Sequence, residues 1–249
     1  TDFYSNGPLC TPTRVGLMTG RYQQRVALEK PLRPTVDAEV GLPVTGRSLS
    51  QLLKLNGYKT GLVGKWHLGW KDEFSPNAHG FDYFFGFKSG YIDYYKHSNG
   101  SGEPDLFEND RQVEVPGYMT DLITERSVNF IKQNAQQPFF LSVQYNAGHW
   151  PYQPPDMPSV ARDNARHLQP HDDETGTREN YIVMLERADE GIGDILKTLA
   201  DAGLVENTLV IFTNDNGGEW LSRNTPLFHR KLTLWEGGIR VPTILRWPG

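Results

Sequence analysis

Residues 179–218 read "ENYIVMLERADEGIGDILKTLADAGLVENTLVIFTNDNGG" and hold a helix, a stop and a strand in one run. Tyr181, Met184, Leu185, Ala188, Ile192, Ile195, Leu196 and Leu199 recur at spacings of three and four, which predicts a helix over 179–202 with one apolar face. Gly203 ends it. "TLVIFTND" (208–215) then reads as a strand that stops at Asp215, and Asn216-Gly217-Gly218 turn the chain away. Helix, apolar strand, polar loop is the repeating unit of an α/β domain with a largely parallel sheet.

The same order recurs on either side. Thr11 as N-cap, Pro12 in the first turn and Gly20 at the end predict a short helix. "RSLSQLLKLNG" carries Ser48 and Gln51 at capping-box spacing and closes on Gly57. "YKTGLVG" (58–64) reads as a buried strand running into Lys65-Trp66-His67. Residues from Thr120 to 136 read as a helix, "PFFLSVQY" (138–145) as a strand, and "IRVPTILRW" near the end as one more. No internal repeat, low-complexity segment or domain linker interrupts this order; 88–118 and 151–178 read as long insertions.

Composition narrows the class. The 249 residues are long enough for a sizeable core, and 37% hydrophobic with 22% charged residues is ordinary for a soluble globular chain. The chain has no run of about 18 apolar residues, so no membrane span is expected. A net charge of −5 argues against a general nucleic-acid binder, while leaving room for a local cationic pocket that takes an anion. One cysteine excludes an internal disulfide and leaves the redox compartment open.

Ligands of a parallel sheet gather beyond the carboxyl ends of its strands. That rule selects Lys65, His67, His149, Asp215 and Asn216. Cys10 at a helix N-terminus sits in positive potential, and Arg14 four residues on shares its side; the alternative is a small buried thiol. Lys65 and His67, two apart on a strand, point the same way and can serve one anionic group; a solvated lysine and a packed histidine are the alternative. His149 lies in "NAGHWPYQPP", whose prolines stiffen the loop, and is equally readable as structural or catalytic. Asp215-Asn216 offers carboxylate and amide oxygens to a hard cation, or simply makes an Asn-Gly turn. Lys231 sits in "HRKLTLWEGGIRVP" with Arg230, Glu236 and Arg240, which also reads as a solvated basic turn. "HDDE" (171–174) is expected to be solvated surface, the eight aromatics of 79–95 mostly core, and Asn99-Gly100-Ser101 fits a glycosylation sequon.

The set is more specific than any member. Cys10-Thr11-Pro12-Thr13-Arg14 followed by Thr19-Gly20-Arg21 resembles the signature of the type I, formylglycine-dependent sulfatases. Gly57-Tyr58-Lys59-Thr60-Gly61 through Gly64-Lys65-Trp66-His67-Leu68-Gly69 resembles the second signature. His149, Asp215-Asn216 and Lys231 before Glu236-Gly237-Gly238 follow in the family's order, with a flavour of the arylsulfatase and N-acetylgalactosamine sulfatase branch. The resemblance implies an alkaline-phosphatase-like fold and hydrolysis of aryl or carbohydrate sulfate esters. Cys10 would be oxidised by a separate formylglycine-generating enzyme that recognises Cys10, Pro12 and Arg14. One hydroxyl of the hydrated aldehyde would attack sulfur, helped by Asp215, and leave a covalent sulfate ester on residue 10. His149 and Lys231 would assist the departing alcohol, and His67 would take the proton that expels sulfate. Arg14 and Lys65 would hold the hydrate and its charge; Lys65, His149 and Lys231 would also bind substrate. Asp215, Asn216 and the residue-10 side chain would ligate one calcium ion.

The family places an acidic pair on a strand before the cysteine motif, where Asp2 is no convincing counterpart, and adds a smaller C-terminal subdomain. Residues 1–249 are therefore expected to be a partial catalytic domain, truncated at both ends, with weak calcium binding and poor activity alone. Periplasm, lysosome or secretion is the compartment the resemblance implies. A phosphomonoester or phosphonate monoester hydrolase of the same superfamily, and a non-catalytic binder of sulfated glycans, are the competing readings.

Overall fold

The computed structural model describes residues 2–157 and 176–249. Its centre is a mixed sheet in the order β4-β3-β2-β1-β5. Strand β1 (Lys59–Lys65) lies between β2 (Tyr83–Phe87) and β5 (Phe139–Gln144) and is parallel to both, with Gly64 opposite Gly86 on one side and Gln144 on the other. The two-residue strands β3 (Phe107–Glu108) and β4 (Arg111–Gln112) extend it antiparallel. β6 (Val210–Thr213) was expected from its sequence to join the parallel strands. It pairs instead with β7 (Thr243–Arg246) as a separate antiparallel ribbon, because strand pattern specifies neither partner nor direction.

Alternation along the strands builds two cores. Leu62 and Phe84 face one layer, with Val15, Met18, Leu42, Trp66 and Phe81. Val63, Phe85 and Phe87 face the other, with Met119, Ile123, Tyr94 and Met184. The first layer is closed by α1 (Cys10–Thr19) and α2 (Leu49–Leu55), the second by α3 (Met119–Asn134) and α4 (Arg178–Asp201). Most of the 79–95 aromatics are core, as expected: Phe81, Phe84, Phe85, Phe87 and Tyr94 are fully buried.

The ends of the elements follow local chemistry with small shifts. Ser48 and Gln51 form the expected capping box, and Gly20 adopts the left-handed conformation after α1. α1 starts at Cys10 behind Leu9 with no side-chain cap, so Thr11 is not the cap its sequence suggested. α4 begins one residue before the predicted 179, behind Thr177, whose side chain accepts from the Asn180 N–H. Asn99 is buried and spends its side chain on Ser101, Glu103 and the Glu103 carboxylate, so the folded chain does not present that sequon. Residues 171–174 lie outside the described residues.

Gly64 ends the regular part of β1. Its φ is +113°, and a Cβ there would stand 2.1 Å from the Gln144 carbonyl oxygen of β5. The obstacle is backbone, so it cannot yield without moving the sheet. Gly64→Ala is expected to destabilise by about 4 kcal/mol or prevent folding. Gly193→Ala, in a helical position with open space around it, should instead stabilise by about 0.5–1 kcal/mol. Thermal melts of the two variants against the parent chain check both signs.

Candidate active site

Cys10, the first residue of α1, is 4% exposed and sits where β1, the His149 loop and the Lys231 turn meet. Its thiol is flanked by His67 and His149 and lies within the fields of Lys65 and Lys231. The six residues singled out for catalysis are therefore brought together: Cys10, Arg14, Lys65, His67, His149 and Lys231. Burial alone would raise the Cys10 thiol. The ammonium charges of Lys65 and Lys231 lead the opposing effects and hold the group well below the usual thiol range.

Arg14 fixes the floor of the site. One terminal nitrogen donates to the Lys65 carbonyl (2.9 Å) and to Gln144 Oε1 (3.0 Å); the other pairs with Asp215 Oδ2 at 3.2 Å. One guanidinium thus ties the carboxyl ends of β1 and β5 to the residues after β6. Thr11 does the same for the adjoining loop, donating to the His67 carbonyl (3.0 Å) and accepting the Leu32 N–H (3.2 Å).

The two histidines are held in defined tautomers. His67 Nε2 lies 2.9 Å from the Leu32 carbonyl, and His149 Nδ1 lies 2.7 Å from the Trp150 carbonyl. A carbonyl only accepts, so each of these nitrogens carries hydrogen, and each ring turns its other nitrogen's lone pair to the Cys10 side. Burial lowers both imidazoles below the ordinary value, and the positive charges of Lys231 and Lys65 around His149, and of Lys65 beside His67, add to this. Both rings are neutral bases near neutral pH. His67 reaches the site through a left-handed residue (φ +60°) beyond the end of β1, so strand alternation is not what aligns it with Lys65.

The two lysines differ. Lys65 is 2% exposed, and burial lowers it against the opposing pull of Cys10 and Asp215. Lys231 is lowered by burial but raised further by the negative charges of Cys10, Glu219 and Asp215, so its net shift is upward. Glu219 Oε2 lies 3.4 Å from its ammonium. Backbone contacts seat the turn: Lys231 N–H donates to Gly218, and Leu232 N–H to Pro8 beside α1. A Cβ on Gly217 would stand 1.9 Å from the Gly237 carbonyl, so the two glycine pairs of the sequence let one backbone lie on the other.

Asp215 and Asn216 were singled out as cation ligands together with residue 10. Asn216 Oδ1 is buried without a hydrogen-bond partner, while its amide nitrogen donates to Gly217. An orphaned amide oxygen beside a carboxylate fits a hard cation. Among the described residues no group of three or more His, Cys, Asp or Glu gathers to hold one, so these residues supply part of such a site.

Three contributors escaped the sequence reading. Gln144 ends β5, a position the strand-end rule could have flagged. Glu219 follows the second glycine of "DNGG" and had no signal of its own. Tyr91, counted among core aromatics, lies nearly parallel to the His149 ring at 6.0 Å. Tyr91 belongs to the segment after β2 that covers His67, where a Cβ on Gly90 would come within 2.7 Å of the ring. Asp105 pins that segment by accepting the N–H groups of Lys88 (3.1 Å) and Ser89 (2.9 Å).

Burial pushes the Asp105 carboxyl up to about 6, and the Lys88 charge and these N–H donors do not cancel the rise. The folded chain therefore holds this proton more tightly than the unfolded one, whose carboxyl titrates near 3.8. Stability from this group grows as pH falls from about 6 toward 4 and is lost as pH rises through 6. Chemical unfolding at pH 4.5 and 7 should show the native chain gaining about 2 kcal/mol on the acid side relative to Asp105→Asn.

Comparison with known proteins agrees with this arrangement. The family model described as Sulfatase matches residues 1–249. Mouse arylsulfatase J is 35% identical over 97% of the chain and 41% of its own length, and dog N-acetylgalactosamine-6-sulfatase 33% identical over 100% and 50%. The chain thus spans about half the length of these relatives. Among solved structures, that of Ps i-CgsB superposes with a TM-score of 0.86 at 32% identity, over 99% of this chain and 57% of that one. The fold is the alkaline-phosphatase-like one of the sulfatases, and the chain belongs to the type I sulfatase family.

Proposed function

We propose that the protein hydrolyses sulfate esters by transferring the sulfuryl group to a hydroxyl of residue 10, from which sulfate is expelled as the aldehyde re-forms and is rehydrated by water. Residue 10 acts after a formylglycine-generating enzyme has converted Cys10. The observation that carries this reading is the environment of Cys10: one buried side chain faced by two neutral imidazoles and by the charges of two lysines. A sulfur-centred anion needs cations around it, and an alcohol nucleophile needs a base. A plain thiol nucleophile would need no such second base.

In this reading the Cys10 sulfur marks the position of the attacking oxygen. The hydrated aldehyde supplies two hydroxyls on one carbon, one to attack and one to lose its proton when sulfate leaves. Lys65 and Lys231 hold the sulfate oxygens, and Arg14 fixes Asp215 against the nucleophile. Asp215 helps take the proton of the attacking hydroxyl, the charged Lys231 gives one to the departing alcohol with neutral His149 beside it, and His67 receives the later proton through its free Nδ1. Asp215, the Asn216 oxygen and residue 10 would hold calcium, whose positive charge polarises a sulfate oxygen. No helix among the described residues is long and apolar enough to cross a membrane. We place the enzyme outside the cytosol, in periplasm, lysosome or secretions, by its family.

Two measurements check the proposal. Mass spectrometry of the tryptic peptide ending at Arg14, from native protein, should show aldehyde or hydrate at residue 10; an unmodified thiol throughout would refute the maturation step. With mature protein, 4-nitrophenyl sulfate should be turned over in preference to 4-nitrophenyl phosphate, and Cys10→Ala should lower kcat/KM by at least ~10³-fold while the melting curve stays cooperative. A strong phosphate preference would instead make the enzyme a phosphoesterase of the same fold.

A further inference from the structure

The segment after β2 bears on both imidazoles, and one hydroxyl ties it to the loop of the second. A Cβ on Gly90 would meet the His67 ring, while Tyr91 lies along the His149 ring and meets Trp150 edge-on at 4.5 Å. Three residues on, Tyr94 is fully buried, with its ring stacked on Tyr118 at 5.3 Å. Its hydroxyl lies 2.7 Å from the Asn146 carbonyl and 3.1 Å from the His149 carbonyl. Both are acceptors, so the single O–H hydrogen is shared between them. The His149 N–H also donates to the Asn146 carbonyl, at 2.8 Å, so the hydroxyl holds both ends of one turn. The two segments are tied again beside it. Tyr94 N–H donates to Gln153 Oε1 (2.9 Å), and the Gln153 amide nitrogen donates to Asp93 Oδ2 (2.9 Å).

Packing does not require this hydroxyl. Phe85 and Phe87 fill the same core as rings without one. A buried O–H is unfavourable unless it is bonded, and here its partners are the backbone that carries His149. Burial lifts the hydroxyl well above the ordinary tyrosine value, so it stays a donor near neutral pH. We propose that Tyr94 is a positioning residue for His149: its hydroxyl fixes the turn from which the imidazole projects, and Tyr91 of the same segment steadies the ring. The proposal rests on the sulfatase reading above, in which His149 stands beside the departing alcohol. Tyr94 acts through the loop and not on the substrate. Its loss would leave the sulfate oxygens with Lys65 and Lys231 and would disturb the step in which the alcohol leaves. That step needs most help when the alcohol is a poor leaving group.

The test compares two aryl esters in the full chain with residue 10 matured. Phenyl sulfate has a poor leaving group and 4-nitrophenyl sulfate a good one. In Tyr94→Phe, kcat/KM should fall about tenfold for phenyl sulfate and by less than about threefold for 4-nitrophenyl sulfate, with inhibition by inorganic sulfate unchanged. Should Tyr94→Phe fail to fold, Tyr91→Leu is judged by the same comparison. A second arm needs no turnover. In the chain with Cys10 unconverted, imidazole nitrogen NMR should show His149 protonated at Nδ1 in the parent and mixed between tautomers in Tyr94→Phe, with His67 unaltered. Equal losses for the two esters, no loss, or an unchanged His149 signature overturns the proposal and leaves the sulfatase reading standing. Hydrolysis of neither ester by mature parent protein overturns the sulfatase reading itself, and the spectra then decide by themselves whether Tyr94 sets the ring.

Discussion

Positive charge buried around one side chain is the constraint on which this structure depends. Arg14, Lys65 and Lys231 are all withdrawn from water within reach of Cys10 or of one another. Each such ion costs several kcal/mol to desolvate. Only two have an acidic partner: Arg14 pairs with Asp215 and Lys231 with Glu219, while Lys65 makes no ion pair among the described residues. The depressed Cys10 thiol is the electrostatic consequence, since a negative group at that point relieves both lysines. The rest of the architecture serves to hold these cations still. Arg14 does so by taking hydrogen-bond partners at the ends of two strands, and Thr11 by stitching the His67 loop to Leu32.

Much of this was legible in the sequence, for identifiable reasons. The α4 helix showed in the three-and-four spacing of its apolar residues, and α2 in its capping box, because both signals are local. The site residues showed because strand ends in an α/β sheet are read from where apolar runs stop. Less legible was anything set by contacts distant in the chain. β6 reads as a strand, but nothing in "TLVIFTND" says that it pairs antiparallel with β7 rather than entering the parallel sheet. His67 was placed correctly beside Lys65 for the wrong geometric reason: a left-handed backbone turn, not alternation, brings it there.

The residues the sequence hid share one property, which is that their meaning lies in a partner. Gln144 is an unremarkable strand-end amide until Arg14 is seen to bond it. Glu219 is one acid among many until Lys231 folds back onto it. Tyr91 belongs by composition to an aromatic-rich core segment, yet its ring lies against His149. Asn99 makes the reverse point. Its sequon is complete as a string, but the folded side chain is consumed by its own turn.

The contact between Gly217 and Gly237 has a structural corollary. The two ends of the intervening segment touch, since Gly217 N–H donates to Gly238 and a side chain at Gly217 would strike Gly237. Residues 218–236 therefore leave the sheet and return to nearly the same point. A closed excursion of this kind can change length or sequence at little conformational cost to the scaffold below it. It carries Glu219, Trp220 and Lys231 as a single exchangeable cassette. Grafting it between sulfatases would transplant these three side chains together while leaving residue 10, Arg14 and both imidazoles where they are.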